Sequence, residues 1–220
     1  MHSRIRYGTV SKMETGKRVT KRRAETRQRL LEAALAVFAE EGFGRSTVEQ
    51  VCDRAGYTRG AFYSNFASLD ELFLAMWERR SAELVTGMRT TFDGLADTEL
   101  ADVRSVVERL LPAIPLDDVW YRVSAEFTAH ALRNPGLRRV LTAREETIAD
   151  AAVPYLVALL GRIGRAVPDP AALGQALIAV HDGTATQCLL EPDNPTVWHR
   201  RTDLAVRVVT AYSTETGGKP

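Results

Sequence analysis

The stretch TVEQVCDRAGYTRGAFYSNF, residues 47–66, limits more than any other how this chain can fold. Thr47 and Gln50 have the spacing of a capping box, which satisfies the free N–H groups at the start of a helix. Gly56 suits the left-handed position that ends a helix, and Thr58 can cap the next one. Both helices are therefore short, and a tight turn joins them. Two such helices predict a helix-turn-helix, whose second helix runs to about residue 65.

Helical periodicity of apolar residues continues on both sides of this stretch. We expect helices over about residues 21–41, 47–55, 58–65, 68–91, 98–114, 116–134, 136–165, 169–192 and 195–213. Pro154 should kink or divide the seventh of these helices. The apolar face of the last helix should carry Val197, Leu204, Val208 and Tyr212. No alternating strand pattern interrupts them. The predicted fold class is all-α: an N-terminal three-helix helix-turn-helix domain followed by a helical bundle.

The charge of the chain is unevenly distributed. Residues 1–30 hold ten basic and two acidic residues, a net charge of +8, whereas the remainder holds 19 basic and 26 acidic residues, a net charge of −7. Residues 1–20 lack apolar periodicity and are predicted to form a flexible basic arm, and residues 214–220 a flexible tail. A basic N-terminal segment followed by an acidic remainder indicates that only the N-terminal segment contacts a polyanion. A solvated tail would explain the same distribution of charge.

One side of the second short helix carries residues suited to DNA. An α-helix approaches base edges in the major groove only where its side chains are small, as at Gly60 and Ala61. Arg59 can donate two hydrogen bonds to a guanine. Phe62 and Phe66 lie one helical turn apart on the opposite, buried face. The predicted DNA-binding residues are Lys21, Arg22, Thr47, Thr58, Arg59, Gly60, Ala61, Tyr63, Ser64 and Asn65.

These residues are assigned different contacts. Thr58 and Ser64 can bond bases or phosphates, and Tyr63 and Asn65 can hold phosphates from the edges of the helix. Thr47 lies at a helix N-terminus, where backbone N–H groups favour a phosphate. The basic residues of the arm add attraction that is independent of sequence and weakens with salt.

The region from Lys21 to about Phe73 resembles the DNA-binding domain of the TetR family of bacterial transcriptional regulators. The segments TRQRLLEAALAVFAEEGF and STVEQVCDRAGYTRGAFYSNFASLDELF carry the resemblance. The residues that match the family pattern in order and spacing are Thr47, Ala55, Gly56, Gly60, Phe62, Tyr63 and Phe66. Leu69 departs from the pattern, because family members often carry there a Lys that binds phosphate.

The resemblance implies a domain order and a mode of action. A DNA-binding domain over residues 21–67 would be followed by a helical ligand-binding and dimerisation domain over residues 68–213. The protein would be a repressor that binds a palindromic DNA operator as a homodimer and is released by a small-molecule effector. Small residues in the helix over residues 169–192 suit the dimer interface, although they suit packing within one subunit equally well.

A ligand pocket would lie between the fourth helix and the helices that follow it. The candidates are aromatic and histidine side chains at helical spacing, each of which also suits an ordinary core. The candidate ligand-binding residues are Trp77, Trp120, Tyr121, Phe127, His130, Tyr155 and His181. A metal site would require His130, His181 and Cys188 to converge, which nothing in the sequence indicates, so neither a metal nor a cofactor is predicted.

Other classes of protein fit the sequence less well. The longest apolar runs are shorter than the roughly 18 residues that a membrane span needs, so we expect a soluble, cytoplasmic protein without a membrane partner. The sequence shows neither Ser, His and Asp residues in the order of a catalytic triad nor a glycine-rich phosphate loop. Nothing therefore indicates an enzyme, and no catalytic residue is predicted. The alternatives left open are a helical adaptor that binds only protein and a regulator that acts as an activator.

Overall fold

The computed structural model describes residues 10–96, 100–114 and 116–217, with the backbone alone for residues 10–20. The chain forms two units, the first ending at Trp77 and the second beginning at Glu78. Nine α-helices and one two-stranded sheet make up the regular structure of the described residues, which confirms the all-α prediction. Within the same residues, no helix is long and apolar enough to cross a membrane.

The first unit is built on three helices and the beginning of a fourth. Its elements are α1 (Val10–Glu41), a 3-10 turn (Phe43–Arg45), α2 (Val48–Ala55), α3 (Arg59–Tyr63) and the first part of α4 (Leu69–Gly94). Phenylalanine rings fill its core: the centroids of Phe38 and Phe43 lie 5.0 Å apart, and those of Phe43 and Phe73 5.8 Å apart, both pairs edge to face. Phe62 and Phe66 are fully buried, as their spacing predicted.

Helix α1 begins earlier than the sequence predicted. Residues 10–20, predicted to belong to the flexible arm, are helical and continuous with the rest of α1. Lys, Met and Glu in this segment favour helix, and one glycine inside it is a cost of only about 1 kcal/mol. Residues 1–9 of the predicted arm lie outside the described residues.

The second unit is a helical bundle. Its elements are the remainder of α4, α5 (Val103–Leu110), a 3-10 turn (Leu111–Ala113), α6 (Asp118–Ala131), α7 (Pro135–Arg162), β1 (Arg165–Ala166), α8 (Pro170–Leu190), α9 (Pro195–Ala211) and β2 (Thr214–Glu215). Helix α8 packs against α7 and α9, and α5 packs against α9. The core contains the fully buried side chains of Val106, Leu159, Leu160 and Leu173.

Two local features of this unit add to the sequence predictions. Pro154 was predicted to kink or divide helix α7, and the helix runs through this residue without dividing. Leu156, Leu159 and Leu160 are buried just beyond the proline, and their packing offsets the roughly 3 kcal/mol that an interior proline costs. The antiparallel sheet of β1 and β2 was not predicted, because strands of two residues are too short to show alternation.

Helix α9 presents a different face to the core from the one predicted. Leu204 and Tyr212, expected to be apolar core residues, are 41% and 39% exposed. Val197 is buried as predicted. The other buried residues of α9 are Arg201, Ala205 and Val209, so the buried positions follow one another at intervals of four. The arginine in this series hides the apolar stripe from a reading of hydrophobic periodicity.

Candidate nucleic-acid interface

The start of α2 is fixed by the predicted capping box. The hydroxyl of Thr47 accepts a hydrogen bond from the backbone N–H of Gln50 at 3.2 Å, and Oε1 of Gln50 accepts one from the N–H of Thr47 at 2.8 Å. Two N–H groups that a helix start leaves unpaired are thereby satisfied. Thr47 itself stays exposed, so its hydroxyl stands at the positive end of α2.

The turn between α2 and α3 depends on Gly56. Its φ of 70° lies in the left-handed region, where a side chain is strained, and its N–H donates to the carbonyls of Cys52 and Asp53. Cys52 is buried, and burial raises the pKa of its thiol, so it remains a neutral core residue. This turn brings α3 back across α2.

Helix α3 separates a buried face from an exposed one over five residues. The hydroxyl of Thr58 caps it by accepting from the N–H of Ala61 at 3.2 Å. Phe62 points into the core and is completely buried. Arg59 and Gly60 are exposed, and Tyr63 is 50% exposed. These three residues therefore lie on the surface, on the side opposite the buried face, as the helical spacing predicted.

Gly60 is not required by the fold of the protein. Its φ is not positive, and a Cβ built on it would meet only the hydroxyl of Thr58, at an ordinary 3.7 Å. Glycine in a helix costs about 1 kcal/mol relative to alanine. Gly60 therefore weakens its own helix at an exposed position that has room for a side chain.

Arg59 is held by an acidic residue of α2. Its Nη1 lies 2.7 Å from Oε1 of Glu49, and its guanidinium carbon lies 5.9 Å from the ring centroid of Tyr63. Both ends of the ion pair are more than half exposed, so the pair is worth at most about 1 kcal/mol. Arg59 is thus kept extended along the surface by a contact weak enough to exchange for a stronger acceptor.

Ser64 and Asn65, two of the predicted DNA contacts, bond to their own helix. The hydroxyl of Ser64 donates to the carbonyl of Gly60 at 2.8 Å, and Nδ2 of Asn65 donates to the carbonyl of Ala61 at 2.8 Å. Oδ1 of Asn65 is enclosed and accepts no hydrogen bond from the described residues. A phosphate contact by Asn65 would require its side chain to rotate out of this arrangement.

Two arginines of α1 secure the end of α3, a role that the sequence did not reveal. Nη2 of Arg23 donates to the carbonyl of Ser64 at 3.2 Å, and Nη1 of Arg27 donates to that of Asn65 at 3.4 Å. The guanidinium carbon of Arg27 also lies 4.5 Å from the ring centroid of Phe66. Cations at the last carbonyls of a helix stabilise it. The partners lie about 40 positions apart, so no local pattern indicates them.

The remaining predicted contacts lie on the surface of the same unit. Lys21 and Arg22 are exposed near the middle of α1. Leu69, which departs from the usual Lys, is half-buried as the first residue of α4. It therefore offers no cation at that helix start.

Comparison with known proteins decides the family. Residues 30–76 match the model of bacterial regulatory proteins of the tetR family, and residues 99–212, just over half of the chain, match the C-terminal domain model of BetI-type transcriptional repressors. The chain belongs to the TetR family. The first match covers α2 and α3, and the second covers α5 to α9.

The TetR-family relatives include both an activator and repressors of transcription. The chain is 34% identical over 104 residues to the HTH-type transcriptional activator FasR of Mycolicibacterium smegmatis, covering 47% of each chain. It is 41% identical over 61 residues to the probable acrEF/envCD operon repressor of Escherichia coli, covering 28% of each. The alignments with these curated relatives thus span less than half of their length.

Solved structures of the TetR family match most of the chain. SmeT, the repressor of the multidrug efflux pump SmeDEF of Stenotrophomonas maltophilia, is 26% identical, with 86% of this chain and 90% of SmeT covered at a TM-score of 0.58. A complex of SmeT with triclosan has also been solved, and it matches at 22% identity with a TM-score of 0.62, covering 89% of this chain and 95% of that one.

The predicted ligand-binding residues of this TetR-family member contact other groups of the protein. The ring centroid of Trp77 is 5.9 Å from that of Phe73 within the first unit. In the second unit Phe127 is fully buried, and the hydroxyl of Tyr121 bonds that of Thr186. Their role in binding a ligand stays a prediction.

The other candidates of the second unit also contact protein groups. The guanidinium carbon of Arg80 lies 5.6 Å from the ring centroid of Trp120. The ring of His130 lies 6.1 Å from that of Phe127, and the ring of Tyr155 lies 5.6 Å from that of Phe92. A shallow groove of about 670 Å³ is lined by none of the predicted ligand residues. Its lining residues are Arg79, Ala82, Glu83, Thr86, Gly87, Thr90, Thr91, Pro112 and Ala113.

The surroundings of His181 strongly lower its pKa. Burial, and then the charge of Arg201, lower its pKa to about 4, so the ring is neutral at pH 7. Nη2 of Arg201 lies 3.4 Å from its Nδ1. Because an arginine can only donate, Nδ1 accepts and Nε2 carries the proton. Among the described residues, no group of three or more His, Cys, Asp or Glu side chains could hold a metal ion.

Proposed function

We propose that this protein is a sequence-specific DNA-binding transcriptional regulator, a repressor that binds a palindromic operator as a homodimer and is released by a small molecule. The observation that carries the proposal is the exposed face of α3, where Gly60 has no role in the fold and stands beside Arg59 and Tyr63. Membership of a family of regulators supports it, and an enzymatic activity forms no part of it.

Recognition would begin with the exchange of one ion pair for a better contact. Arg59 leaves Glu49, 2.7 Å away, and directs its two terminal nitrogens to O6 and N7 of a guanine. Gly60 allows the backbone of α3 to lie close to the base edges. Thr47 and Thr58, which cap α2 and α3, stand at helix N-termini that favour phosphate. Lys21 and Arg22 contribute charge along the backbone of the DNA.

The exposed side of α8 and α9 supports a dimer. Gly183 has open space where its Cβ would stand, Ala179 is exposed, and Leu190 is 76% exposed. Small and apolar residues on one exposed helix face let a second helix approach closely. Gly174 belongs to the other side: a Cβ there would lie 3.0 Å from Cγ2 of Val153, so this glycine serves packing within one subunit.

Release by an effector would act through the spacing of two α3 helices. In a dimer they must enter major grooves about 34–36 Å apart, so a small change of their separation weakens binding. Helix α4 runs from Leu69 to Gly94 and so belongs to both units, which makes it the element able to transmit such a change. A coupling of about 1–3 kcal/mol would lower operator affinity roughly 5- to 150-fold. The triclosan complex of SmeT supports effector binding by a protein of this fold.

The proposal is tested with an inverted repeat from the DNA that flanks the protein's own gene. Fluorescence anisotropy would measure the affinity of the wild type and of Arg59→Ala for this DNA and for scrambled DNA at several salt concentrations. We expect a steep salt dependence, sequence-dependent affinity, and a loss of about 1–3 kcal/mol of discrimination at one guanine per half-site in the variant.

Arg89→Ala is the matched control, because Arg89 is an exposed arginine in an ion pair with Asp93 in the second unit. It should leave operator binding unchanged. A flat salt response with no preference for sequence would favour the helical adaptor over the regulator. If the protein activated rather than repressed a reporter gene behind the operator, the proposal of DNA binding would stand and the proposal of a repressor would be wrong.

A further inference from the structure

The first half of α7 has one exposed side, which we call the outer face of α7. The helix packs against α5, α6 and α8, and Leu141 is buried on that packed side. Residues three or four positions apart share one face of a helix. On the outer face these exposed residues are Pro135, Arg139, Thr142, Ala143, Glu146 and Asp150. An open groove of about 430 Å³ runs along it, lined by Pro135, Arg138, Arg139, Thr142, Ala143 and Glu146.

The charges of the outer face are sorted along the helix. Arg138 and Arg139 lie at its N-terminal end, and Glu146 and Asp150 lie towards its middle. Several exposed arginines elsewhere in the second unit have a carboxylate partner: Arg79 pairs with Glu83, Arg89 with Asp93, Arg104 with Asp203 and Arg122 with Asp118. Within the described residues, the four charged side chains of the outer face form no ion pair. The face therefore keeps one positive and one negative part, neither of them neutralised.

The spacing of these charges prevents them from pairing within the helix. Ion pairs along a helix join residues three or four positions apart, whereas Arg139 and Glu146 are seven positions apart, about 10.5 Å along the axis. Seven positions are also almost two full turns, so both side chains leave the helix in nearly the same direction. Their charges are thus available to a partner that lies along the helix.

The outer face is complementary to itself. A second, antiparallel α7 related by a two-fold axis between Thr142 and Ala143 would place its Glu146 opposite Arg139. The same symmetry would place its Arg139 opposite Glu146, so one contact forms twice. The small residues Thr142 and Ala143 lie closest to this axis, where small side chains let the axes of two helices approach to about 8 Å.

We propose that the outer face of α7 is a self-association surface on which a second copy of this chain docks antiparallel. DNA fits this face poorly, because Glu146 and Asp150 repel phosphates, and they repel an acidic protein surface for the same reason. A second copy carries both charges in the required order. The contact is only about three helical turns long and its ion pairs are exposed, so the association is weak. Cooperation between neighbouring copies on DNA would be its use, and this use alone rests on the proposed function.

Sedimentation equilibrium of the full chain without DNA tests the surface, because a weak contact forms only as the concentration rises from micromolar to millimolar. We expect the mass of the main species to double at low salt and the doubling to disappear as salt screens the ion pairs. Arg139→Glu and Glu146→Arg each place like charges opposite each other twice, so each should raise the Kd of the doubling at least about tenfold. The matched control Arg89→Glu, on α4, changes the net charge as Arg139→Glu does and should leave the doubling unchanged.

Two combinations of these variants should restore the association. The double variant Arg139→Glu with Glu146→Arg exchanges the charges and keeps them complementary. An equimolar mixture of the two single variants should also associate, because one then presents only acidic and the other only basic side chains at these positions. Misfolding of a single variant would not be corrected by mixing, so the mixture separates a lost contact from a lost fold.

A wild type that keeps its mass over the whole concentration range would overturn the surface. So would single variants that double as the wild type does, or a mixture that fails to associate. Operator binding is measured separately. Its absence would refute the proposed regulator and leave the charge-dependent association standing, whereas intact operator binding without that association would refute the surface alone.

Discussion

Replacing Gly60 with alanine should affect the stability of the fold and the binding of DNA in opposite directions. Gly60 is the second residue of α3, its φ is not positive, and the added Cβ would lie 3.7 Å from the hydroxyl of Thr58. No atom of the protein has to move. Because alanine lowers the entropy of the unfolded chain, Gly60→Ala should raise the free energy of unfolding by up to about 1 kcal/mol.

The same methyl group should weaken binding to the operator. It would stand between the backbone of α3 and the base edges and would prevent Arg59 from reaching its guanine in the optimal geometry. A good bidentate pair is worth about 1–3 kcal/mol, so the Kd should rise roughly 5- to 150-fold. A stabilised protein with weakened binding is the expected result.

Urea unfolding and fluorescence anisotropy would measure the two effects on the same preparations. Gly161→Ala is the matched control, because Gly161 lies in helix α7, is exposed and has open space around its missing Cβ. It should raise stability without changing operator affinity. Unchanged affinity in Gly60→Ala would refute the close approach of α3 to DNA, and a loss of stability would refute the argument that the fold does not need this glycine.

Three further predictions concern other parts of the chain. The pKa of His181 falls from 6.5 to about 4 on folding, so between these pH values the unfolded state binds a proton that the folded state does not. The free energy of unfolding is therefore highest above pH 6.5 and decreases by up to about 3 kcal/mol towards pH 4. Urea unfolding of His181→Gln should lack this part of the decrease. Arg27→Ala should lower the free energy of unfolding by about 1–2 kcal/mol, whereas Arg22→Ala should leave it unchanged and lower the salt slope of DNA binding by about 1. Gly174→Ala should destabilise by about 1–3 kcal/mol in thermal unfolding because its Cβ meets Val153; an unchanged Tm would show that α7 and α8 move apart easily.

The helices of the first unit could be predicted because their signals are local. The caps at Thr47 and Thr58 and the left-handed Gly56 act within four residues, and each has the predicted geometry. The burial of Phe62 and Phe66 follows from a spacing of one helical turn. Capping and periodicity are properties of a short segment, so the amino-acid sequence states them directly.

Contacts between distant segments could not be predicted in this way. The bonds of Arg23 and Arg27 to the end of α3 join residues about 40 positions apart. In the sequence these arginines are only two of the ten basic residues among the first 30. Asn65 was assigned to phosphate because it is polar, yet its amide bonds to the carbonyl of Ala61. Residue type gives the bonds that a side chain is able to form, and only packing selects among them.

The sequence by itself determined the helical class, the helix-turn-helix and the placing of Arg59, Gly60 and Tyr63 opposite a buried face, since these depend on the 3.6-residue period and on caps. Tertiary structure alone decided which side of α9 is buried. Its periodicity favoured Leu204 and Tyr212, but packing against α5 and α8 turned Arg201 inwards instead. A helix shows which residues share a face, and the energy of burying that face depends on neighbours that the local sequence does not contain.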